Sequence, residues 1–165
     1  NQTAANNARM NCIKKGATIT DADKQALKDA KKNTWPNVTL LKARILNDGG
    51  LNQQAIQVLQ GKSTSSFSKE EEQLEFTYRV GRINDDLGKD EDAIAFYLKA
   101  IAIGQERTEY YAARAALQIG MIYERKGNKK TAIQYYQQCL DMENHDYKNS
   151  LDQRAKSGIA RCKGE

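Results

Sequence analysis

Few side chains in this sequence have the types and spacing that catalytic or metal chemistry requires. His145 is the only histidine and lies in a polar stretch, which argues against a Ser–His or Cys–His pair and against a multi-histidine metal site. The carboxylates of Asp85 and Asp86, and of residues 90–92, fall at an expected helix end and helix start, where solvated or capping roles are usual. Neither G-x-x-x-x-G-K-S/T nor G-x-G-x-x-G occurs. We therefore expect no catalytic residue, no cofactor and no metal ion.

The cysteines Cys12, Cys139 and Cys162 are odd in number and show no C-x-x-C or ligand-like spacing. Free thiols are expected rather than a disulfide framework, which favours a reducing compartment such as the cytoplasm. No apolar run approaches the roughly 18 residues of a membrane-spanning helix. Residues 1–7 are polar without an apolar signal segment, and the chain does not begin with methionine. We expect part of a longer repeat protein, or a processed chain from which any signal peptide has been removed.

The net charge of +5 is concentrated near the N-terminus. Residues 1–34 hold seven Lys/Arg and three Asp, whereas residues 35–165 hold nineteen Lys/Arg and eighteen Asp/Glu. A nucleic-acid-binding helical protein that uses the basic N-terminal segment is therefore the alternative function. The near-neutral balance of residues 35–165 argues against it, and a solvated helix face explains the lysines equally well. That lysine stripe comprises Lys24, Lys28, Lys31 and Lys32.

One pattern is written twice between residues 76 and 140. Gly120 follows Gly81 by 39 residues (120 − 81), and the surrounding apolar and glycine positions keep that offset. A third, less perfect copy lies 38 residues earlier around Ala43, and Gly158 continues the series. A fixed period of this size is the signature of stacked helical hairpins. The paired segments are Val80–Gly81 with Ile119–Gly120, Gly88 with Gly127, Ala93–Ile94 with Ala132–Ile133, and Phe96–Tyr97 with Tyr135–Tyr136.

The elements that follow from this pattern are all helical. Residues 1–34 are expected to form an N-terminal helical segment, a degenerate or truncated repeat with helices at 4–15 and from Thr20 or Asp21 to Lys32. Residues 35–165 are expected to form a repeat domain with hairpins at 36–61, 69–103 and 108–142 and a capping helix at 148–163. Capping residues are expected to start the later helices at Ser68 (with Glu71), Thr108 and Ser150 (with Gln153).

Each copy has a small residue within its first helix, a glycine turn, and a second helix that opens with Ala-Ile and carries Tyr or Leu four residues after the alanine. This arrangement resembles the tetratricopeptide repeat. The period of 38–39 residues exceeds the family's usual length of about 34, and the usual first-helix tryptophan and closing proline are absent. The resemblance implies an all-α, right-handed α-α superhelix, or solenoid, of about three hairpins. It also implies a non-catalytic interaction module, a scaffold that binds a peptide or protein segment in a concave groove.

The groove positions of this family, transferred residue by residue, indicate a mixed-charge surface with apolar islands. The clamp for a terminal carboxylate found in some members is not reproduced, because Leu40 and Gln118 occupy two of its places. Two interpretations of the charged residues stay open: they bind a partner, or they pair on their own helices, Arg82 with Asp85 or Asp86 and Arg44 with Asp48. The candidate peptide-binding residues are Arg44, Tyr78, Arg79, Arg82, Arg114, Gln118, Met121 and Arg125.

Overall fold

The structure is a computed structural model that describes residues 2–32 and 34–164. Every regular element within the described residues is helical, and the all-α fold class is confirmed. The chain divides into two compact units, Asn1–Pro36 and Asn37–Glu165. The expected segments 1–34 and 35–165 include residues 1, 33 and 165, which lie outside the described residues.

The first unit holds two helices, α1 (Gln2–Lys15) and α2 (Asp21–Lys31). The start of α2 is closed by a reciprocal pair of hydrogen bonds, in which the Asp23 amide donates to the Thr20 hydroxyl at 3.1 Å and the Thr20 amide donates to Asp23 Oδ2 at 2.9 Å. The hydrogen bonds that the Thr20 amide and hydroxyl donate to the Asp23 carboxylate lower the pKa of Asp23. Neither helix contains a fully buried residue.

The second unit is a stack of helical hairpins. We call the first helix of each hairpin an A helix and the second a B helix. The A helices are α3 (Val38–Asp48), α5 (Glu70–Asp86), α7 (Tyr111–Arg125) and α9 (Lys148–Lys163). The B helices are α4 (Asn52–Leu59), α6 (Asp90–Gly104) and α8 (Lys129–Asp141). A 3₁₀ turn at Thr64–Ser66 connects the first hairpin to the second.

Each hairpin turns at a glycine with left-handed backbone geometry. The φ angles of Gly50, Gly88 and Gly127 are +77°, +74° and +77°, a conformation that other residues adopt only at a cost. The amide after each glycine donates back to a carbonyl in the last turn of the A helix, for example from Lys89 to Asn84 at 2.9 Å. The turn is therefore built in the same way in all three hairpins.

The helices of the second unit form two layers. Each A helix contacts the next A helix, and each B helix contacts the A helix that follows it, whereas within the described part of the unit no B helix contacts another B helix. The A helices are therefore the more closely spaced layer. The solvent-accessible surface formed by successive A helices is called the A face below. Five of the candidate residues on these helices are at least partly accessible: Arg44, Arg82, Arg114, Met121 and Arg125.

Helix starts differ from the sequence-based expectation at three places. Helix α5 begins at Glu70 rather than after Ser68, because Phe67 is buried against Phe76 (ring centroids 5.2 Å apart) and its carbonyl accepts a hydrogen bond from Gln73. Helix α7 begins at Tyr111, and the Thr108 carbonyl instead accepts a hydrogen bond from the Asp146 amide. Ser150 lies inside α9, which begins earlier, after Tyr147.

Candidate functional site

Asp85, near the end of α5, joins two successive repeats on the A face. Its Oδ2 atom accepts hydrogen bonds from Tyr97 Oη and Gln118 Nε2, both at 3.3 Å, and its Oδ1 atom accepts from Arg125 Nη2 at 3.2 Å. Arg125 also reaches Asp90 Oδ1 at 2.8 Å. Arg125 therefore spans from α7 to both helices of the preceding hairpin. The sequence indicated only a solvated or capping role for Asp85, or a local pair with Arg82, and gave no sign of these long-range contacts.

Three of the predicted site residues lie inside the stack rather than on its surface. The exposed fractions of Tyr78, Arg79 and Gln118 are 2%, 5% and 3%. The Tyr78 ring packs at 5.2 Å from Tyr111 and at 5.9 Å from Tyr97. Burial raises the pKa of Tyr78 and of Tyr97, so both hydroxyls stay protonated at neutral pH.

The Arg79 guanidinium is buried among aromatic rings. Its Nε atom donates to Glu75 Oε1 at 3.2 Å, and its Cζ atom lies 5.6 Å and 5.7 Å from the ring centroids of Tyr78 and Tyr111. The Nη2 atom has no hydrogen-bond partner among the described residues. Arg79 therefore organises the interior beneath the A face and adds positive potential there.

Arg44 and Arg82 form the local ion pairs that the second interpretation of the sequence anticipated. Arg82 Nη2 lies 3.0 Å from Asp86 Oδ1, and Arg44 Nε lies 3.5 Å from Asp48 Oδ2. Both pairs connect residues four apart on one helix and are at least partly exposed. Pairs of this kind contribute only a few tenths of a kcal/mol, so they leave the guanidinium groups available to a competing carboxylate.

Arg114 and Met121 differ from the other predicted residues in their surroundings. Arg114 forms no ion pair and no hydrogen bond with the described residues, its Nε atom is buried, and its Cζ atom lies 5.9 Å from the centroid of the Tyr110 ring. Met121 is half-buried, and its sulfur lies 3.9 Å from Arg154 Nη2 on α9. No sequence signal marked Arg154, because the repeat pattern identified α9 only as a capping helix.

The structure bears on three other kinds of site: a nucleic-acid surface, a metal site and a membrane-spanning helix. The four stripe lysines line one shallow cavity of the first unit together with Thr18 and Leu27, and the nucleic-acid alternative stays a prediction. Across residues 2–32 and 34–164 no three His, Cys, Asp or Glu side chains come close enough to hold a metal ion. Over the same residues, no helix has the length and apolar character needed to cross a bilayer.

The hairpins are antiparallel and repeat every 38–39 residues, and their A helices contact one another. Tyrosine rings of the B helices pack against glycines of the A helices. These features define an α-helical repeat protein. The family model described as Tetratricopeptide repeat matches residues 73–143, which run from within α5 to just beyond α8. This segment of the chain therefore belongs to the tetratricopeptide repeat family. Comparisons with curated proteins and with solved structures gave no match. Domains of this family are generally protein–protein interaction modules and typically non-catalytic scaffolds.

Proposed function

We propose that this chain is a non-catalytic interaction module that holds a peptide or protein segment against the A face. The single observation that carries the proposal is the state of Arg114, a partly buried cation on α7 that has no carboxylate partner among the described residues. Arginine is among the residue types that dominate binding energy at protein interfaces. An unpaired guanidinium on this face is therefore a natural contact for a partner's carboxylate.

The candidate residues take different roles in this proposal. Arg82, Arg114 and Met121 are the half-exposed side chains that a partner would touch on α5 and α7. Tyr78, Arg79 and Gln118 lie beneath them and hold the two helices in register. Arg125 contributes through its contacts with Asp85 and Asp90, and Arg44 extends the positive surface onto α3.

The decisive experiment compares partner capture by the wild-type chain with capture by a double variant, Arg82→Ala with Arg114→Ala. The control variant, Lys89→Gln with Lys130→Gln, removes two exposed charges at the starts of B helices. A benzophenone side chain at Met121, compared with one at the exposed Leu98 of α6, reports where the partner lies.

We expect the double arginine variant to recover much less partner while its melting temperature stays within a few degrees of the wild type, since exposed pairs contribute under about 1 kcal/mol. Crosslinks should form from position 121 and not from position 98. Equal capture by the wild type and the double variant, or crosslinking only from position 98, would refute binding on the A face.

A further inference from the structure

A pocket lies between α7 and α9, on the part of the A face that the last two A helices share. Its volume is about 340 Å³, within the lower part of the range for sites that hold small ligands or single side chains. Its apolar lining residues are Met121 of α7, which is half-buried, and Leu117, of which only 1% is exposed. The α9 side is polar and basic, and is lined by Gln153, Arg154, Ser157 and Arg161.

The two arginines of this pocket are in different electrostatic states. Arg161 is neutralised by Glu124, with Nε and Nη2 at 2.8 Å and 2.9 Å from the two carboxylate oxygens. Arg154 forms no ion pair with the described residues, and its recorded contact is with the Met121 sulfur, a weak acceptor. The positive charge at the rim of the pocket is therefore uncompensated and lies directly beside an apolar surface.

The neighbouring groups do not supply a carboxylate to Arg154. Glu124 already accepts hydrogen bonds from Arg161 and from the Tyr136 hydroxyl. The Ser157 hydroxyl donates to the Gln153 carbonyl within α9. A carboxylate from another chain is a better partner for Arg154 than a thioether, because an ionised acceptor strengthens the hydrogen bond.

We propose that this pocket binds a segment of an acidic peptide, with one aliphatic side chain against Leu117 and Met121 and the side-chain carboxylate of an adjacent Asp or Glu on Arg154. The inference rests on the proposed function and gives the chemistry of one subsite. An internal residue is favoured over a chain end, because the A face continues from this pocket onto α7 and α5, past Arg114, which has no carboxylate partner among the described residues. The flexible Met121 side chain can adjust to the entering group.

Methionine methyl NMR on the full chain tests the proposal, because Met121 lines the pocket while Met10 and Met142 lie elsewhere and serve as internal controls. Met121→Leu assigns the resonance. The probe is acetyl-Leu-Glu-amide, titrated at constant ionic strength, with an expected Kd on the order of millimolar for so small a ligand. Acetyl-Leu-Gln-amide lacks the charge, acetyl-Ala-Glu-amide lacks the large aliphatic group, and N-acetyl-leucine carries a terminal carboxylate.

We expect saturable shifts of the Met121 methyl group with acetyl-Leu-Glu-amide, and weaker binding of the two truncated probes. Arg154→Gln should weaken binding of acetyl-Leu-Glu-amide by about two- to fivefold, the range for a partly exposed ion pair, whereas the matched α9 control Lys156→Gln should not.

Equal affinity for the Glu and Gln probes, an unchanged affinity in Arg154→Gln, or binding of N-acetyl-leucine alone would overturn the proposal. Such a result, obtained while Arg82→Ala with Arg114→Ala still reduces partner capture, would remove this subsite and leave the proposed function standing. A loss of both effects would remove the two together.

Discussion

Gly120 of α7 lies directly against the ring of Tyr136 on α8. A Cβ atom on Gly120 would lie 2.6 Å from both Cδ1 and Cε1 of the ring, closer than real Cβ atoms approach. The Cε2 side of the same ring meets Gly158 of α9, where a Cβ atom would lie 2.5 Å from Cε2 and Cζ. Gly81 has the equivalent relation to Tyr97, at 2.7 Å and 2.9 Å. The glycines therefore allow a tyrosine of the B helix to fill the space between A helices.

Gly120→Ala is predicted to destabilise the protein although alanine is the better helix former. Overpacking against the Tyr136 ring should lower the free energy of unfolding by about 1–3 kcal/mol, whereas the better helix propensity of alanine should raise it by about 1 kcal/mol. Urea denaturation should therefore show a lower midpoint with an unchanged slope. A raised midpoint would mean that the ring moves aside freely and that the close approach is not needed.

A double-mutant cycle at the equivalent pair isolates the contact from the backbone effect. Gly81→Ala should destabilise the protein when Tyr97 is present. In a Tyr97→Leu variant the same substitution should destabilise the protein less, or should stabilise it. The first hairpin already has this smaller pairing, with Ala43 and Leu59 at the matching positions, both buried. Identical costs of Gly81→Ala in both backgrounds would contradict ring contact as the reason for glycine.

The fold could be predicted from the sequence where the signal repeats. Gly81 and Gly120 recur because a tyrosine ring packs against each of them, and the turn glycines recur because each adopts a positive φ angle. The start of α2 was predictable from local spacing, because the two hydrogen bonds of the Thr20–Asp23 box depend on residues three apart. At Ser68 and Thr108 the local capping signal was wrong, because burial of Phe67 and the contact between Thr108 and Asp146 decide where the helices begin.

For the candidate site, the sequence could predict contacts between residues on one helix but not contacts between repeats. Arg82–Asp86 forms because its residues are four apart on one helix. Arg125 reaches Asp85 across 40 residues of sequence, and only the stacking of α5 on α7 brings them together. The same stacking buries Gln118 and leaves Arg114 unpaired, so neither property could follow from the pattern alone.

The pair of Arg161 and Glu124 is predicted to make stability depend on pH. The hydrogen bonds from Arg161 lower the pKa of Glu124. A lowered folded-state pKa stabilises the protein above the unfolded value of about 4.3, and this contribution is lost as the pH falls through the folded pKa. Because Arg161 is 56% exposed, the contribution should stay below about 1 kcal/mol.

The matching experiment is urea denaturation of Arg161→Gln and the wild type from neutral pH to about pH 3, spanning the reference pKa. The variant should be less stable near neutral pH, and the difference should vanish at the acidic end. A difference that is constant over the whole range would assign the effect to packing of the arginine rather than to its charge.

Cys139 is predicted to be unreactive in the folded protein. Its side chain is fully buried, and burial raises the pKa of its thiol to about 12. Since only the thiolate reacts, Ellman's reagent at about pH 8 should modify it at the rate of unfolding. A variant with Cys12→Ser and Cys162→Ser leaves Cys139 as the sole thiol, and adding urea should accelerate its reaction. Rapid modification without denaturant would show that α8 opens locally.

The lysine stripe of α2 is predicted not to bind nucleic acid specifically. If Lys24, Lys28, Lys31 and Lys32 each neutralised one phosphate, the slope of log K against log salt for duplex DNA would be about −3.6. We expect a much shallower dependence in fluorescence anisotropy with a labelled duplex, and little change when all four are replaced by glutamine. A steep slope that disappears in the quadruple variant would support the nucleic-acid alternative.

Arg114 and Arg125, both on α7, are predicted to differ in how much removal of their charge changes the stability of the protein. Arg125→Gln takes a cation from Asp85, whose side chain is only 9% exposed, and from Asp90. The free energy of unfolding should therefore fall by about 0.5–1 kcal/mol, since the arginine itself is largely exposed. Arg114→Gln removes a cation with no carboxylate partner among the described residues, so stability should change by less than about 0.5 kcal/mol or rise slightly. Urea denaturation of both variants at low and high salt measures the difference, and only the Arg125→Gln loss should shrink as salt screens the pair. A loss above about 1 kcal/mol for Arg114→Gln would show that this arginine stabilises the fold, and the proposed binding face would lose the observation that supports it.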